Sequence, residues 1–432
     1  MTHGFLDRSR DARIRRLAIP ALGTLAIEPL VSIVDTAFIG RLGTNAVASL
    51  AVAAAVLSVA FFLFNFLAHG VGPLVAQDIG GGRHDDARAL AGNGLALALI
   101  GGVVALAVVE LGAPQLIRAA GGVGSIEDAA VTYLRIRALA IPALLLVTLG
   151  NGVFRGHADT VTPLWIALLF NLINAGLDPL LIFGLDMGLA GAAWASVVAQ
   201  STGAVLFLVM MVRRSMLGAP RLAGSGRLLK VSRDFLVRTG SLVLTFFMAT
   251  RVAASISEPA LAAHQVATQV FFLLALATDS LAVAGQVLVG QYIGAADGYS
   301  ARLVSDRLIA IGLAAGSMTA AVILVTRPFL GSIFLNDPMA LDELGTALLI
   351  MAPVAIVGAL AFVWDGLVMG AGDFGYLART MVIASSVTIA TLLTIQAQGW
   401  GLAGVWWSLV LLMILRSAMM IPWHRRLGVV SR

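Results

Sequence analysis

The chain has 432 residues, of which 59% are hydrophobic and only 12% charged, against roughly 25% charged in a soluble domain. With a mean hydropathy of +0.96 it cannot dress a water-facing surface, so lipid must be its main solvent. The absence of cysteine excludes disulfides, thiolate metal sites and cysteine nucleophiles. The net charge of +5 is carried by arginine apart from Lys230, and reads as membrane topology rather than nucleic-acid binding.

A membrane-spanning helix needs roughly 20 mainly apolar residues. Twelve stretches meet this: 17–39, 46–76, 89–112, 130–152, 160–184, 189–212, 235–256, 260–291, 303–326, 341–367, 376–396 and 402–422. Their breaks (GRLGTN, GGGRHDD, LDMG, GAADG, FLNDP) hold Gly, Pro and charges, as loops do. An all-β barrel would show short alternating segments instead. Residues 1–16 lack a short apolar core followed by a small-residue cleavage site, so no cleavable signal is expected.

Taken in chain order, a few spans carry polar groups. A charge at a helix centre in lipid costs about 2.5–3.5 kcal/mol on insertion scales, so each needs a reason. The first span holds Glu28 and, two turns on, Asp35, on a helix interrupted by Pro20 and Pro29. A kinked helix bearing two acids suits a moving part, with Pro20 as a bending point. The fourth span holds Asn151. The fifth holds Asn174 and Asp178, whose i, i+4 spacing puts an amide and a carboxylate on one face, directly before Pro179. Ser196 adds a hydroxyl on the sixth. The eighth holds Asp279 and the tenth Asp365. Asp159 and Asp373, in G-x-x-D at loop starts, read as loop tethers or helix caps. His264 reads as a core histidine. No HExxH, Walker A, GxSxG or GxGxxG pattern occurs in a fitting context, so neither an enzyme nor an ATP-driven pump is expected.

The chain also contains itself twice. LVAQDIGGGRHDDAR at 74–88 returns as LVGQYIGAADGYSAR at 288–302, a shift of 214 residues. The same shift carries Gly152, Gly156 and Asp159 onto Gly366, Gly370 and Asp373, and Asn151 onto Asp365. Asp35 lands on Ala249, however, and Asp178 on Leu392. A duplicated membrane protein with a one-sided acidic site is the pattern of a transporter built from repeats.

Arginines cluster at the N-terminus (Arg8 to Arg16), in the longest internal loop (Arg213 to Arg238) and at the C-terminus (Arg425, Arg426, Arg432). With twelve spans all three lie on one side, so both termini are expected in the cytoplasm and the protein in the inner (plasma) membrane. Arg135 and Arg137, near the outer end of the fourth span, fit this rule poorly. The expected organisation is an N-lobe of six helices (1–212), a cytoplasmic linker (213–234) and a C-lobe of six helices (235–432).

Several phrases resemble one family. DTAFIGRLG at 35–43, fifteen residues after Pro20, is similar to the first helix of the multidrug and toxic compound extrusion (MATE) family. So are VFRGHADTVTPL at 153–164, NAGLDPLLIFGLDMGLAGAAWAS at 174–196, LAAHQVATQ at 261–269 and DGLVMGAGD at 365–373. DTAFIGRLG and TDSLAVAGQVLVGQYIGA at 278–295 most resemble the DinF-like branch. The resemblance implies an all-α membrane fold of twelve transmembrane helices in two pseudo-symmetric lobes around a V-shaped cavity. It implies antiport of organic, often cationic, solutes against protons or Na⁺ by alternating access. The family's N-lobe cation site carries over onto Asp35, Asn174 and Asp178, with Ser196 where threonine is usual. Glu28, Asn151, Asp279 and Asp365 are expected in the substrate cavity. A C-lobe Na⁺ site of another branch uses acids on the seventh and tenth spans; here Asp365 is present, but the seventh span carries Arg251 instead of an acid.

The function expected from all this is proton-coupled export of organic cations, with Asp35 and Asp178 sharing a proton. Cofactors are expected to be none, and the partners a small organic substrate and the lipid bilayer, with no nucleic acid, for a chain acting as a monomer. Na⁺ coupling at Asp35, Asn174, Asp178 and Ser196, export of organic acids, and flipping of a lipid-linked substrate remain open alternatives.

Overall fold

In hydrocarbon a chain must satisfy its backbone internally, and a run of apolar residues does so as a helix. The computed structural model describes residues 8–427, among which all regular structure is helical. Arg432 lies outside the described residues. The helices are α1 (Arg8–Gly40), α2 (Thr44–Phe64), α3 (Phe66–His69), α4 (Val71–Gly80), α5 (His84–Ala119), α6 (Ser125–Ala138), α7 (Ile141–Gly156) and α8 (Val161–Pro179). A π-helical turn, Leu180–Gly184, extends α8. There follow α9 (Gly188–Arg213), α10 (Leu222–Ile256), α11 (Glu258–Gly294), α12 (Gly298–Phe334), α13 (Pro338–Gly370), α14 (Phe374–Gln398) and α15 (Gly401–Arg426). Eleven stretches are long and apolar enough to cross a membrane, and the α6–α7 pair, bent by 50°, makes the twelfth. Large apolar side chains face outward along them, Leu111 at 84% and Val325 at 73% exposure, as lipid-facing positions do.

Contacts divide the chain into two units: residues 19–229, and residues 8–18 with 230–427. Within the first, α7 is the central helix, packed on α4, α5 and α9. Within the second, α13 holds the same place against α11, α12 and α15. The 214-residue repeat explains the likeness. A Cβ on Gly152 would stand 2.7 Å from the Leu67 carbonyl oxygen, and one on Gly156 2.7 Å from that of Gly72. In the second unit a Cβ on Gly366 would stand 2.3 Å from the Ala282 carbonyl oxygen, and one on Gly370 2.9 Å from that of Gln286. These are the same crossing built twice. Each uses a small-xxx-small pair to bring two backbones together in lipid, where packing rather than water expulsion drives helix association.

The copies differ where proline does. A proline clashes with the carbonyl four residues back and removes a donor. In the first unit α3 ends at His69, four before Pro73, and α6 ends at Ala138, four before Pro142. The equivalent positions hold Val287 and Ile356, and α11 and α13 run through unbroken.

The connection between the halves is shorter than the polar composition of 213–234 suggests. Only residues 214–221 are non-helical, because α10 begins at Leu222 and carries the basic residues on its first turns. The connection is pinned to α5. Arg88 Nε donates to the Ser215 carbonyl at 2.8 Å, and the Asn93 amide exchanges hydrogen bonds with the Arg221 backbone at 3.0 and 2.8 Å. The start of α1 joins the second unit through paired bonds from Arg307 to Asp11, both 2.7 Å, and one of 2.7 Å from Arg13 to the Tyr292 hydroxyl.

Asp159 holds the α7–α8 turn as the G-x-x-D pattern suggested. It accepts from the backbone of Val161 and Thr162, from the Thr162 hydroxyl at 2.7 Å and from Arg214 at 2.6 Å. Burial pushes its carboxyl up, but the Thr162 and Arg214 hydrogen bonds and the Arg214 charge outweigh this and leave it below its ordinary value. A depressed carboxyl stabilises the fold above its unfolded value of about 4, and that contribution is lost as pH falls through the folded value. Asp159→Ala should therefore lower the thermal midpoint at neutral pH, with the gap to the parent narrowing below about pH 4. A gap independent of pH would mean that ionisation of Asp159 contributes nothing. Separately, Gly366→Ala should cost about 1–3 kcal/mol through overpacking against Ala282. An unchanged unfolding midpoint in detergent would rule out the close crossing.

Candidate functional site

The first unit brings three of the four expected cation-site residues into one polar pocket among apolar helices, with Ser196 at its edge. Asp178 is 1% exposed and Asn174 4%, one turn apart on α8. Asn174 Nδ2 donates to the Ser196 hydroxyl on α9 at 3.4 Å, a long contact. Asp35, half-buried on α1, places its carboxyl within hydrogen-bonding reach of Asp178. Among the described residues no donor reaches Asp35 Oδ1 or either oxygen of Asp178. Two buried carboxylates in contact repel unless something positive lies between them, and a proton or a small cation turns that repulsion into a bond. Asp178 is followed by Pro179 and the π-helical turn, so the backbone there departs from a regular ladder beside the carboxylate.

Sequence reasoning did not place Arg137 here. Arg135 and Arg137 stood out only as misfits to the charge rule, and the fold separates them. Arg135 points outward, 3.9 Å from Glu110 on α5. Arg137 turns inward, donating to Gln200 Oε1 on α9 at 3.1 Å and pairing with the Tyr133 hydroxyl one turn earlier on α6. Its guanidinium acts electrostatically on Asp35. Gln200 lies one turn beyond Ser196. Two carboxylates thus lie together with one fixed cation in electrostatic range of Asp35, and the signal was the arginine on the wrong side of the rule.

The remaining expected residues do not join this group by any direct bond. Glu28 is exposed on α1, with no hydrogen bond or ion pair to any described residue. Pro20 sits inside an unbroken α1, its carbonyl accepting from the Thr24 hydroxyl at 3.1 Å. Asn151 donates to the Val147 carbonyl at 3.0 Å and leaves its own oxygen buried without a partner.

In the second unit the position equivalent to Asn151 is committed elsewhere. Asp365 on α13 is 2% exposed, and its Oδ2 accepts from Arg416 on α15 at 2.6 Å and also from Arg238 on α10. Arg416, itself 1% exposed, stacks 5.2 Å from the Phe362 ring centroid. Asp279, half-buried on α11, is within electrostatic range of Asp365, Arg238 and Arg416, with no side-chain hydrogen bond among the described residues. Asp365, expected as a cavity acid, is thus held in an Arg–Asp–Arg group, in which two guanidiniums meet one carboxylate and Asp279 is the second acid in range. A lone arginine in the apolar run WWSLVLLMILRSAMM was the available signal for Arg416. His264 is core, as expected: fully buried, its Nε2 3.2 Å from the Thr250 hydroxyl. Among the described residues no cluster of three or more His, Asp and Glu forms a metal site.

Removing one member of a buried ion group strands the others in low dielectric. Asp365→Ala should cost about 3–5 kcal/mol in thermal or chemical unfolding. Asp365→Ala combined with Arg416→Met should recover part of the loss. Equal stability of parent and Asp365→Ala would show that the group is not structural.

The family model described as MatE matches residues 20–180 and again 237–394, one match in each half. Protein DETOXIFICATION 44, chloroplastic, of Arabidopsis thaliana is 33% identical, over 93% of this chain and 80% of the relative. DNA damage-inducible protein F of Escherichia coli strain K12 is 27% identical over 97% of this chain and 93% of the relative, in keeping with the DinF-like phrases. Among solved structures, a MATE transporter crystallised in a bent conformation superposes with a TM-score of 0.91 at 20% identity, covering 98% of this chain and 96% of the other. Two matches to one family model, covering most of both repeats, settle the family: the chain belongs to the MATE family of multi-pass membrane transporters and is not an enzyme.

Proposed function

We propose that this transporter is a proton-coupled antiporter that exports organic cations by alternating access, with Asp35 and Asp178 as the coupling pair. The observation that carries the reading is the contact between two carboxyl groups that no other donor satisfies. A proton on the pair makes one carboxyl a donor to the other. Its loss leaves a negative pocket that attracts a cationic solute. A ligand shifts a two-state equilibrium only by binding the two states unequally, and protonation changes this pocket's charge by one unit. Asn174 and Ser196 provide polar neighbours for either state.

A proton is favoured over Na⁺ as the coupling ion because it is held covalently and needs no further ligands, while the Arg137 guanidinium opposes either cation at Asp35. Movement has places to occur in this unit: Pro20 and Pro29 within α1, and the π-helical turn after Pro179. Arginine placement favours cytoplasmic termini. Glu28, Asn151 and Asp279 remain the proposed polar lining of the substrate path.

The test uses the purified chain in liposomes with a fluorescent organic cation under a pH gradient alone or a Na⁺ gradient alone. Asp35→Asn and Asp178→Asn should each abolish exchange driven by the pH gradient at parental protein levels. Full exchange in both would remove the pair from the mechanism. Arg137→Gln should retain exchange with its pH profile moved alkaline by about 1 unit, since the neighbouring positive charge no longer opposes protonation. Exchange driven only by Na⁺ would reassign the coupling ion.

A further inference from the structure

On the unit formed by residues 8–18 and 230–427, a cleft of about 650 Å³ opens between the Lys230–Val237 stretch of α10 and the first turns of α14. Its rim is basic, with Lys230, Arg233 and Arg379. Its walls are apolar, with Val237, Ala378 and Ile383. By length and composition both helices begin membrane spans here, α10 at Gly226 and α14 at Phe374. Val237 is 44% and Ile383 55% exposed, so the walls are open rather than packed against protein. The rim thus falls at the headgroup end of both spans and the walls further along them.

The charges are not equally free. Arg233 gives Asp234 two hydrogen bonds, of 2.9 and 2.7 Å, and that carboxylate offsets it. Among the described residues Lys230 makes no ion pair and Arg379 bonds the Gly375 carbonyl, at 3.1 Å, while Asp234, held by Arg233, is the one acid lining the cleft. Two uncompensated cations thus flank an apolar trough, whose complement is an anionic head on an apolar tail. We propose that this cleft binds one anionic phospholipid, its phosphate between Lys230 and Arg379 and an acyl chain along Val237, Ala378 and Ile383. Basic pockets between spans are a recurring solution for anionic headgroups. Long basic side chains reach the headgroup level while their stems stay in the apolar layer. An acidic peptide fits less well, because its backbone would enter hydrocarbon unpaired.

The binding readout is independent of coupling ion and transport substrate, so failure of the function proposed above leaves it intact. The protein in detergent is titrated with phosphatidylglycerol, phosphatidylcholine or inorganic phosphate, and bound lipid is counted by native mass spectrometry. Phosphatidylglycerol is expected to bind at one site in preference to phosphatidylcholine. Lys230→Gln with Arg379→Gln should weaken it about 30-fold, from roughly fivefold per basic side chain at an anionic surface. Ile383→Trp, which fills the exposed wall and leaves the rim charges, should also displace it. Both variants should keep the parental thermal midpoint in lipid-free detergent. Undiminished phosphatidylglycerol binding in both variants overturns the proposal. So does equal competition by inorganic phosphate or polyglutamate, which would make the site a headgroup or peptide site without a tail.

Discussion

In a low-dielectric layer a charge must meet its compensation within a few ångströms, and this constraint organises both halves of the chain. The second unit meets it with fixed partners. Asp365 receives Arg238 and Arg416 on one oxygen, the three side chains come from three helices, and Asp279 stands within range. The first unit has the same scaffold but leaves the requirement open. Asp35 and Asp178 face each other with Arg137 alongside, and two carboxylates with one guanidinium leave one negative charge unmatched. A closed charge group locks helices together. An open one responds to whatever cation is supplied, and a transporter needs such a response somewhere.

The scaffold beneath both solutions is a helix crossing repeated 214 residues apart. Gly152 and Gly156 press α7 onto α3 and α4, and Gly366 and Gly370 press α13 onto α11. Proline then distinguishes the copies. Pro73 and Pro142 break the first copy where Val287 and Ile356 leave the second continuous. The broken copy is also the one that carries the unmatched acids, together with a π-helical turn next to Asp178. Irregular backbone and an incomplete charge group thus occur in the same unit, while in the second α11 and α13 are unbroken and the acid at 365 has fixed partners.

Membership of the MATE family, shown by a family match in each half, agrees with that division of labour. The likeness to a solved MATE structure at 20% identity concerns the path of the backbone. The side chains carry the rest: serine at position 196, an inward arginine at 137, and an arginine pair on one oxygen of the acid at 365.

The sequence by itself determined the solvent, the helices and the duplication. These follow from composition, from runs of apolar residues and from Gly, Pro and Asp at fixed spacing, all of which are local along the chain. The i, i+4 pair Asn174–Asp178 and the capping role of Asp159 were legible for the same reason. Only the tertiary structure decided which charges meet. Asp365 read as a cavity acid with no sign of its arginines, because they lie 127 residues before it and 51 after it in sequence. Arg137 read only as a poor fit to the charge rule because its partner Gln200 is 63 residues away on another helix. Electrostatic compensation acts over a few ångströms of space and is blind to separation along the chain, so no local pattern announces it.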